Sequence, residues 1–277
     1  MKPGRHEEHK VVINGLTLHY LEWEPRKSPT LLLLHGYLSQ AQIWTGFASE
    51  LSRHFRILAL NQRGHGESDW SPDGAYSIDD HFTDLARFIE LLGLKDLVIM
   101  GHSMGGRNAL FYTACFPEKV KKLMLVDARP GNSEASISAL KKMLTGLGLS
   151  ADDLPKIHEK AEKLYPHLSL KEAFEKILMD RAHTSSRSHS GFDPWLITAS
   201  RLAGFLVEDL WPFMECLTCP TLIIRGQHSD FVSPTEAENM CRIIPQATLS
   251  VIPGASHVPM LENPTEFKQA VLSFLDL

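Results

Sequence analysis

The chain has 277 residues, 43% apolar and 22% charged, with a formal net charge of −5. That is the composition of one large globular domain, or of a core domain with an insertion, and its acidic balance offers no electrostatic attraction for nucleic acid or an anionic membrane. No apolar run approaches the roughly 18 residues of a membrane span, and the N-terminal MKPGRHEEHK lacks the apolar middle of a signal peptide, so a cytoplasmic protein is expected.

The predicted elements run as follows. Residues 11–13 and 16–20 flank Asn14-Gly15, a two-residue hairpin signal. The histidines of His6-Glu-Glu-His9, just before, lie three apart rather than four, which is not the metalloprotease helix pattern, and the segment reads as a solvated tail. Residues 30–34 (TLLLL) form the continuous apolar run of a strand buried on both faces. Runs of this kind recur at 55–60, 97–100, 123–126, 222–224 and 248–252. Capped helices lie between them. Ser77-Ile-Asp-Asp80 is a capping box opening a helix through Leu92, which Gly93 closes. Ser233-Pro-Thr-Glu236 and Asn263-Pro-Thr-Glu266 each offer a cap, a proline at the first helical position and an acid in the first turn. Strands alternating with helices predict a mostly parallel sheet covered on both faces.

The alternation breaks at 129–211, where the pattern is helical. Leu140, Met143, Leu144 and Leu147 are spaced for one helix face, and Ser169-Leu-Lys-Glu172 is a further capping box. Helices inserted after the strand ending at Asp127 read as a cap over the sheet. The four cysteines do not make a disulfide scaffold. Cys216-x-x-Cys219 has no second pair to complete a zinc site and precedes an apolar strand, so packing explains it.

Chemistry gathers at the carboxyl ends of the strands, where open α/β sheets bind ligands. Leu97–Met100 runs into Gly101-His102-Ser103-Met104-Gly105, a strand, sharp turn and helix with Ser103 at the bend. Glycines at 101 and 105 leave room for a strained turn, and the helix start directs free N–H groups at charge developing beside Ser103. Alone, the pattern also fits a glycine-rich turn with a capping serine. Three further strand ends carry His35-Gly36-Tyr37, Gln227-His228-Ser229-Asp230 and Ala255-Ser256-His257.

With HGY at 35–37, NQRGHGES at 61–68, GHSMGG at 101–106, GQHSD at 226–230 and GASHVPMLENP at 254–264, the chain resembles the α/β-hydrolase superfamily, in its serine esterase-like branch with a helical cap after the sixth strand. The resemblance covers roughly residues 10–277. It implies an α/β fold with a mostly parallel eight-stranded sheet, a core of residues 1–128 and 212–277, and a cap of 129–211. It implies Ser103 as nucleophile, His257 as base and Asp230 as the acid orienting it, in the superfamily's chain order. Asp127 is the alternative acid, because some members place the acid after the preceding strand. Backbone N–H groups of Tyr37 and Met104 would form the oxyanion hole.

Arg63 and His65 then belong to a structural turn, His102 shapes the elbow, and His35 supports the oxyanion loop through hydrogen bonds. Serine at the elbow, rather than aspartate, points to acyl chemistry on a small or medium, mostly apolar ester or lactone, with no cofactor and no metal. Trp195, Phe205, Leu206 and Trp211 are pocket candidates, with Leu196 and Phe213 beside them; ordinary packing would also explain each of them. Carbon–carbon bond hydrolysis stays open despite His102 where relatives with that activity carry asparagine. So do a lyase that would use Arg107 on a polyanion, and a receptor that keeps the triad for sensing.

Overall fold

The computed structural model describes residues 5–24, 29–131, 138, 191–193, 196 and 209–277. An eight-stranded sheet has the order β1-β2-β4-β3-β5-β6-β7-β8. β1 (Glu7–Ile13) and β2 (Leu16–Trp23) form the antiparallel hairpin around Asn14-Gly15, with Ile13 opposite Leu16. β2 pairs antiparallel with β4 (Arg56–Leu60). From β4 onward all pairings are parallel, through β3 (Thr30–Leu34), β5 (Leu97–His102), β6 (Val120–Val126), β7 (Thr221–Gly226) and β8 (Ala247–Ile252). The α/β-hydrolase architecture expected from the sequence is present. The segment starting at Glu7 is not a tail but an edge strand: its backbone pairs with β2 while most of its side chains stay solvated.

Successive residues of the strands point to opposite faces and sort the apolar side chains into two cores. Leu32, Leu34, Leu58, Leu60, Ile99, Leu123, Leu125 and Ile223 face α2 (Ile78–Leu91), α3 (Met104–Cys115) and α4 (Pro234–Ile243). Leu31, Leu33, Ile57, Ala59, Val98, Met100, Met124, Val126, Leu222 and Ile224 face α1 (Thr45–Leu51) and α6 (Pro264–Leu275). A short α5 (Pro259–Glu262) precedes α6. Each fully buried leucine contributes about 1.5–3 kcal/mol, so the two cores hold the strand ends in fixed register. Both capping boxes form: Ser77 accepts from the Asp80 amide and Ser233 from the Glu236 amide.

Residues 130 and 210 lie side by side, and residues 191–193 also touch the core between them, the Asp193 amide donating to the Gly64 carbonyl at 2.7 Å. The Leu210 amide donates to the Pro130 carbonyl at 2.8 Å, and Trp211 packs on Gly131. Most of the helical pattern read at 129–211, including its Leu140 face and its Ser169 capping box, lies outside the described residues. Among the described residues no helix is long and apolar enough to cross a membrane.

Candidate active site

Ser103 stands between β5 and α3 with φ 50° and ψ −116°, a left-handed bend costing about 1–3 kcal/mol for a residue with a side chain. Its amide donates to the Val126 carbonyl at 2.9 Å, tying the bend to β6. Close backbone packing explains the glycines around it. A Cβ at Gly101 would strike the Gly105 backbone, and one at Gly105 would lie 2.5 Å from the His35 carbonyl oxygen. A Cβ at Gly36 would fall 2.5 Å from His102 Nδ1 and 3.3 Å from Ser103 Cβ, so the turn carrying Tyr37 lies against the elbow.

His257 follows β8. Its Nδ1 lies 2.7 Å from Asp127 Oδ2, and the Asp127 side chain is fully buried. An ionised carboxylate only accepts hydrogen bonds. Nδ1 therefore carries the proton, which leaves Nε2 as the nitrogen able to take one. Asp127 follows β6 directly with φ 43°, a region aspartate tolerates better than most residues. Its amide donates to the Ile224 carbonyl at 2.7 Å, and its Oδ1 accepts from the Gly226 amide at 3.3 Å.

Asp230 does not take the place the sequence suggested for it. The Ser229 amide donates to the Gly226 carbonyl at 3.0 Å, and this turn after β7 points residue 229 inward and leaves Asp230 exposed. The inward hydroxyl of Ser229 donates to Asp127 Oδ2 at 2.6 Å. Sequence reading missed Ser229, one position out of register inside GQHSD.

Three more contacts fix His257. The Phe231 ring stacks on its imidazole at 3.8 Å between centroids and 20° between planes. His102 Nε2 donates to the His257 carbonyl at 2.8 Å. Glu262 brackets the histidine, accepting from the Ser256 amide at 2.7 Å, the Ser256 hydroxyl at 2.5 Å and the Val258 amide at 3.2 Å. Burial, and then the neighbouring His257, push the His102 imidazole down to about 3, so it stays neutral and positions its neighbour.

On the other side of Ser103, His35 and His65 support the 35–38 turn. The Gln62 amide donates to His35 Nε2 at 3.0 Å, so His35 Nδ1 carries the proton and donates to the Gly36 carbonyl at 2.8 Å. The Leu38 amide donates to His65 Nε2 at 3.2 Å, and His65 Nδ1 donates to the Arg63 carbonyl at 2.9 Å. Burial lowers both, His65 to about 4 and His35 well below its ordinary value. Gln62 adds a bond to the His35 carbonyl at 2.8 Å and accepts from Asn108 at 2.6 Å. The Tyr37 hydroxyl donates to the Leu196 carbonyl. Met104 is the first residue of α3, where amides lie ahead of the helix's own hydrogen-bond ladder.

The arginines near the site are engaged in the scaffold. Arg63 makes a two-pronged pair with Asp84 at 2.6 and 2.8 Å. Arg107 is buried and donates to the carbonyls of Arg129 at 3.2 Å and Pro130 at 3.1 Å, bracing the chain as it leaves β6. Trp211 packs against the α3-side core, and Phe213 meets Phe111 edge-on at 5.0 Å. Trp195, Phe205 and Leu206 lie outside the described residues. Among the described residues no group of three or more histidine, cysteine or acidic side chains could hold a metal ion.

A bent serine after β5, an aspartate–histidine pair at the ends of β6 and β8, and a glycine turn after β3 share one sheet edge. Residues 29–264 match the family model for the alpha/beta hydrolase fold. The chain belongs to the α/β-hydrolase family. It is 27% identical over 270 residues to a 2-(acetamidomethylene)succinate hydrolase of Mesorhizobium japonicum, covering 96% of this chain and 94% of that one. It is 29% identical over 254 residues to an sn-1-specific diacylglycerol lipase of Mus musculus, covering 89% and 81%. The crystal structure of an E-2-(acetamidomethylene)succinate hydrolase superposes with a TM-score of 0.76 at 26% identity, covering 99% of this chain and 100% of that one. These relatives are hydrolases, and a hydrolase is the activity class the chain supports.

Proposed function

We propose that this hydrolase cleaves a carboxylic ester or lactone of a small to medium, mostly apolar substrate through an acyl-enzyme on Ser103. The observation that carries the reading is the 2.7 Å bond from buried Asp127 to His257 Nδ1, which prepares Nε2 to act as a base. In the acylation step His257 takes the Ser103 proton as Oγ attacks the carbonyl carbon. The negative charge that forms on the carbonyl oxygen meets the amides of Met104 and Tyr37. The tetrahedral intermediate collapses, and His257 returns the proton to the departing alkoxide. Water then attacks the acyl-enzyme by the same route and releases the acid. Asp127, in place of Asp230, orients the imidazole and stabilises its protonated form.

Each oxyanion donor lowers the barrier by about 3–4 kcal/mol in enzymes of this chemistry. Residues 129–211 serve as a lid, with Trp195, Phe205, Leu206 and Trp211 as candidate walls of the substrate pocket. Two hydrolases among the relatives act, by name, on an acetamidomethylene succinate and a diacylglycerol.

The test is turnover of p-nitrophenyl acetate and butyrate by the native protein and by Ser103→Ala. The native protein should hydrolyse both and be labelled by a fluorophosphonate. The variant should lose both properties, with kcat lower by about 10⁶-fold. Native turnover no higher than the variant's would reject the reading.

A further inference from the structure

We propose that Ser229 is a positioning residue for the Asp127–His257 pair, fixing the one carboxylate oxygen that accepts the hydrogen bond from the imidazole Nδ1–H. This rests on the reading above, in which that pair serves Ser103. A serine hydroxyl has one proton and two lone pairs. Here all three are committed. Ser229 Oγ accepts from the amides of Phe231 and Val232, each at 3.1 Å, and donates to Asp127 Oδ2 at 2.6 Å. With both lone pairs occupied, the proton has a single direction open to it, toward the carboxylate.

The loop that carries Ser229 is clamped from below. Buried Arg225 donates to the carbonyls of Val232 at 2.6 Å, Gln227 at 3.0 Å and Ser229 at 3.2 Å. The hydroxyl therefore sits on a rigid turn. It shares Asp127 Oδ2 with His257, while the Gly226 amide takes Oδ1. The χ2 torsion of an aspartate is soft and roughly two-fold. Two donors on one oxygen and one on the other remove that freedom, and the acid presents one oxygen to the imidazole. The Phe231 amide that Ser229 accepts from belongs to the residue whose ring stacks on His257. Ser229 thus sets both the hydrogen bond and the stacked face of the imidazole.

The geometry also bears on where the acid can stand. Ser229 Oγ and His257 Nδ1 both lie within hydrogen-bond distance of the same oxygen atom. An aspartate at 229 reaches one bond further than serine, toward the space that a shortened residue 127 would vacate. The acid should therefore be transferable from the end of β6 to the end of β7.

The experiment measures p-nitrophenyl butyrate kinetics and thermal unfolding for five proteins: wild type, Ser229→Ala, Ser229→Thr, Asp127→Ser, and the transposed double variant Asp127→Ser/Ser229→Asp. Ser229→Ala should lower kcat by about 10–100-fold, the usual cost of losing a partner that orients a reacting group, with KM little changed. Ser229→Thr, which keeps the hydroxyl, should recover most of that loss. Asp127→Ser should fall by about 10⁴-fold, and the transposed variant should regain at least ten-fold over it. A folded Ser229→Ala with wild-type kcat overturns the proposal, as does a Thr variant no better than Ala or a folded transposed variant no better than Asp127→Ser. If Asp127→Ser itself keeps wild-type kcat, the underlying role of Asp127 falls instead, and the two failures are told apart.

Discussion

On the β3–β4 side of Ser103 the groups that hold the 35–38 turn are neutral and pair among themselves, whereas on the β6–β8 side two donors share one oxygen of a buried carboxylate. His35, His65, Gln62 and Asn108 use fixed dipoles, and burial holds both imidazoles uncharged. Asp127, by contrast, divides one oxygen between His257 and Ser229 above the buried Arg225 clamp. The difference follows from the work proposed for each side. A turn that must meet a developing oxyanion needs amides that do not move, and a titrating group there would disturb them. A side that passes a proton needs a counter-charge, and that charge must be fully hydrogen-bonded to be buried.

The sharpest way to break this comparison is at the two aspartates. Asp127→Asn should lower kcat by about 10⁴-fold, as loss of the orienting acid does in serine hydrolases. Asp230→Asn, at an exposed position, should leave kcat within about two-fold. Steady-state kinetics on one ester decides it, and the opposite ranking would move the charged centre to the β7 loop. The neutral side predicts a smaller effect. Gln62→Met leaves the Asn108 amide and the His35 carbonyl without their partner. The expected cost is about 1–3 kcal/mol in denaturant unfolding, with kcat falling as the 35–38 turn loosens. Unchanged stability would show that the network does not support the turn.

The gentlest test is pH. His65 and His102 sit near 4 and 3 in the folded protein, against an ordinary value of 6.5. Between those values the unfolded chain binds more protons, so stability rises with pH across that window and is lost as pH falls from about 6.5 toward 4. Moving from pH 7 to pH 5 should cost on the order of 1–2 kcal/mol for each of these histidines. Chemical unfolding at the two pH values measures this, and equal stabilities would contradict neutral burial.

Much of this arrangement was legible in residue order. The run at 30–34 coincides with β3, because a strand buried on both faces needs unbroken apolar residues. Ser77 and Ser233 announce their helices through side-chain chemistry that acts within three residues. Ser103 and His257 could be placed for local reasons: each follows a strand, Ser103 between Gly101 and Gly105 and His257 three residues after Gly254. The choice of acid was not local. Asp127 and Asp230 both follow buried strands, and only the turn from Gly226 to Ser229 decides which residue faces the histidine. Helix α1 gave no signal, since no side chain caps its start and Gly46 lies in its first turn. The hairpin at 11–13 and 16–20 was legible, but its extension through residues 7–10 depends on a partner strand, which charge-rich residues do not advertise.

The bond from Leu210 to Pro130 makes the two ends of the excursion neighbours, joined like the feet of a hairpin. Closing a longer loop over fixed feet costs little extra entropy, so added length between them costs the sheet little as long as residues 191–193 keep their bonds to the 64–66 turn. On the function proposed above, a segment grafted between 130 and 210 should change which acyl compounds react while Ser103, Asp127 and His257 keep their positions.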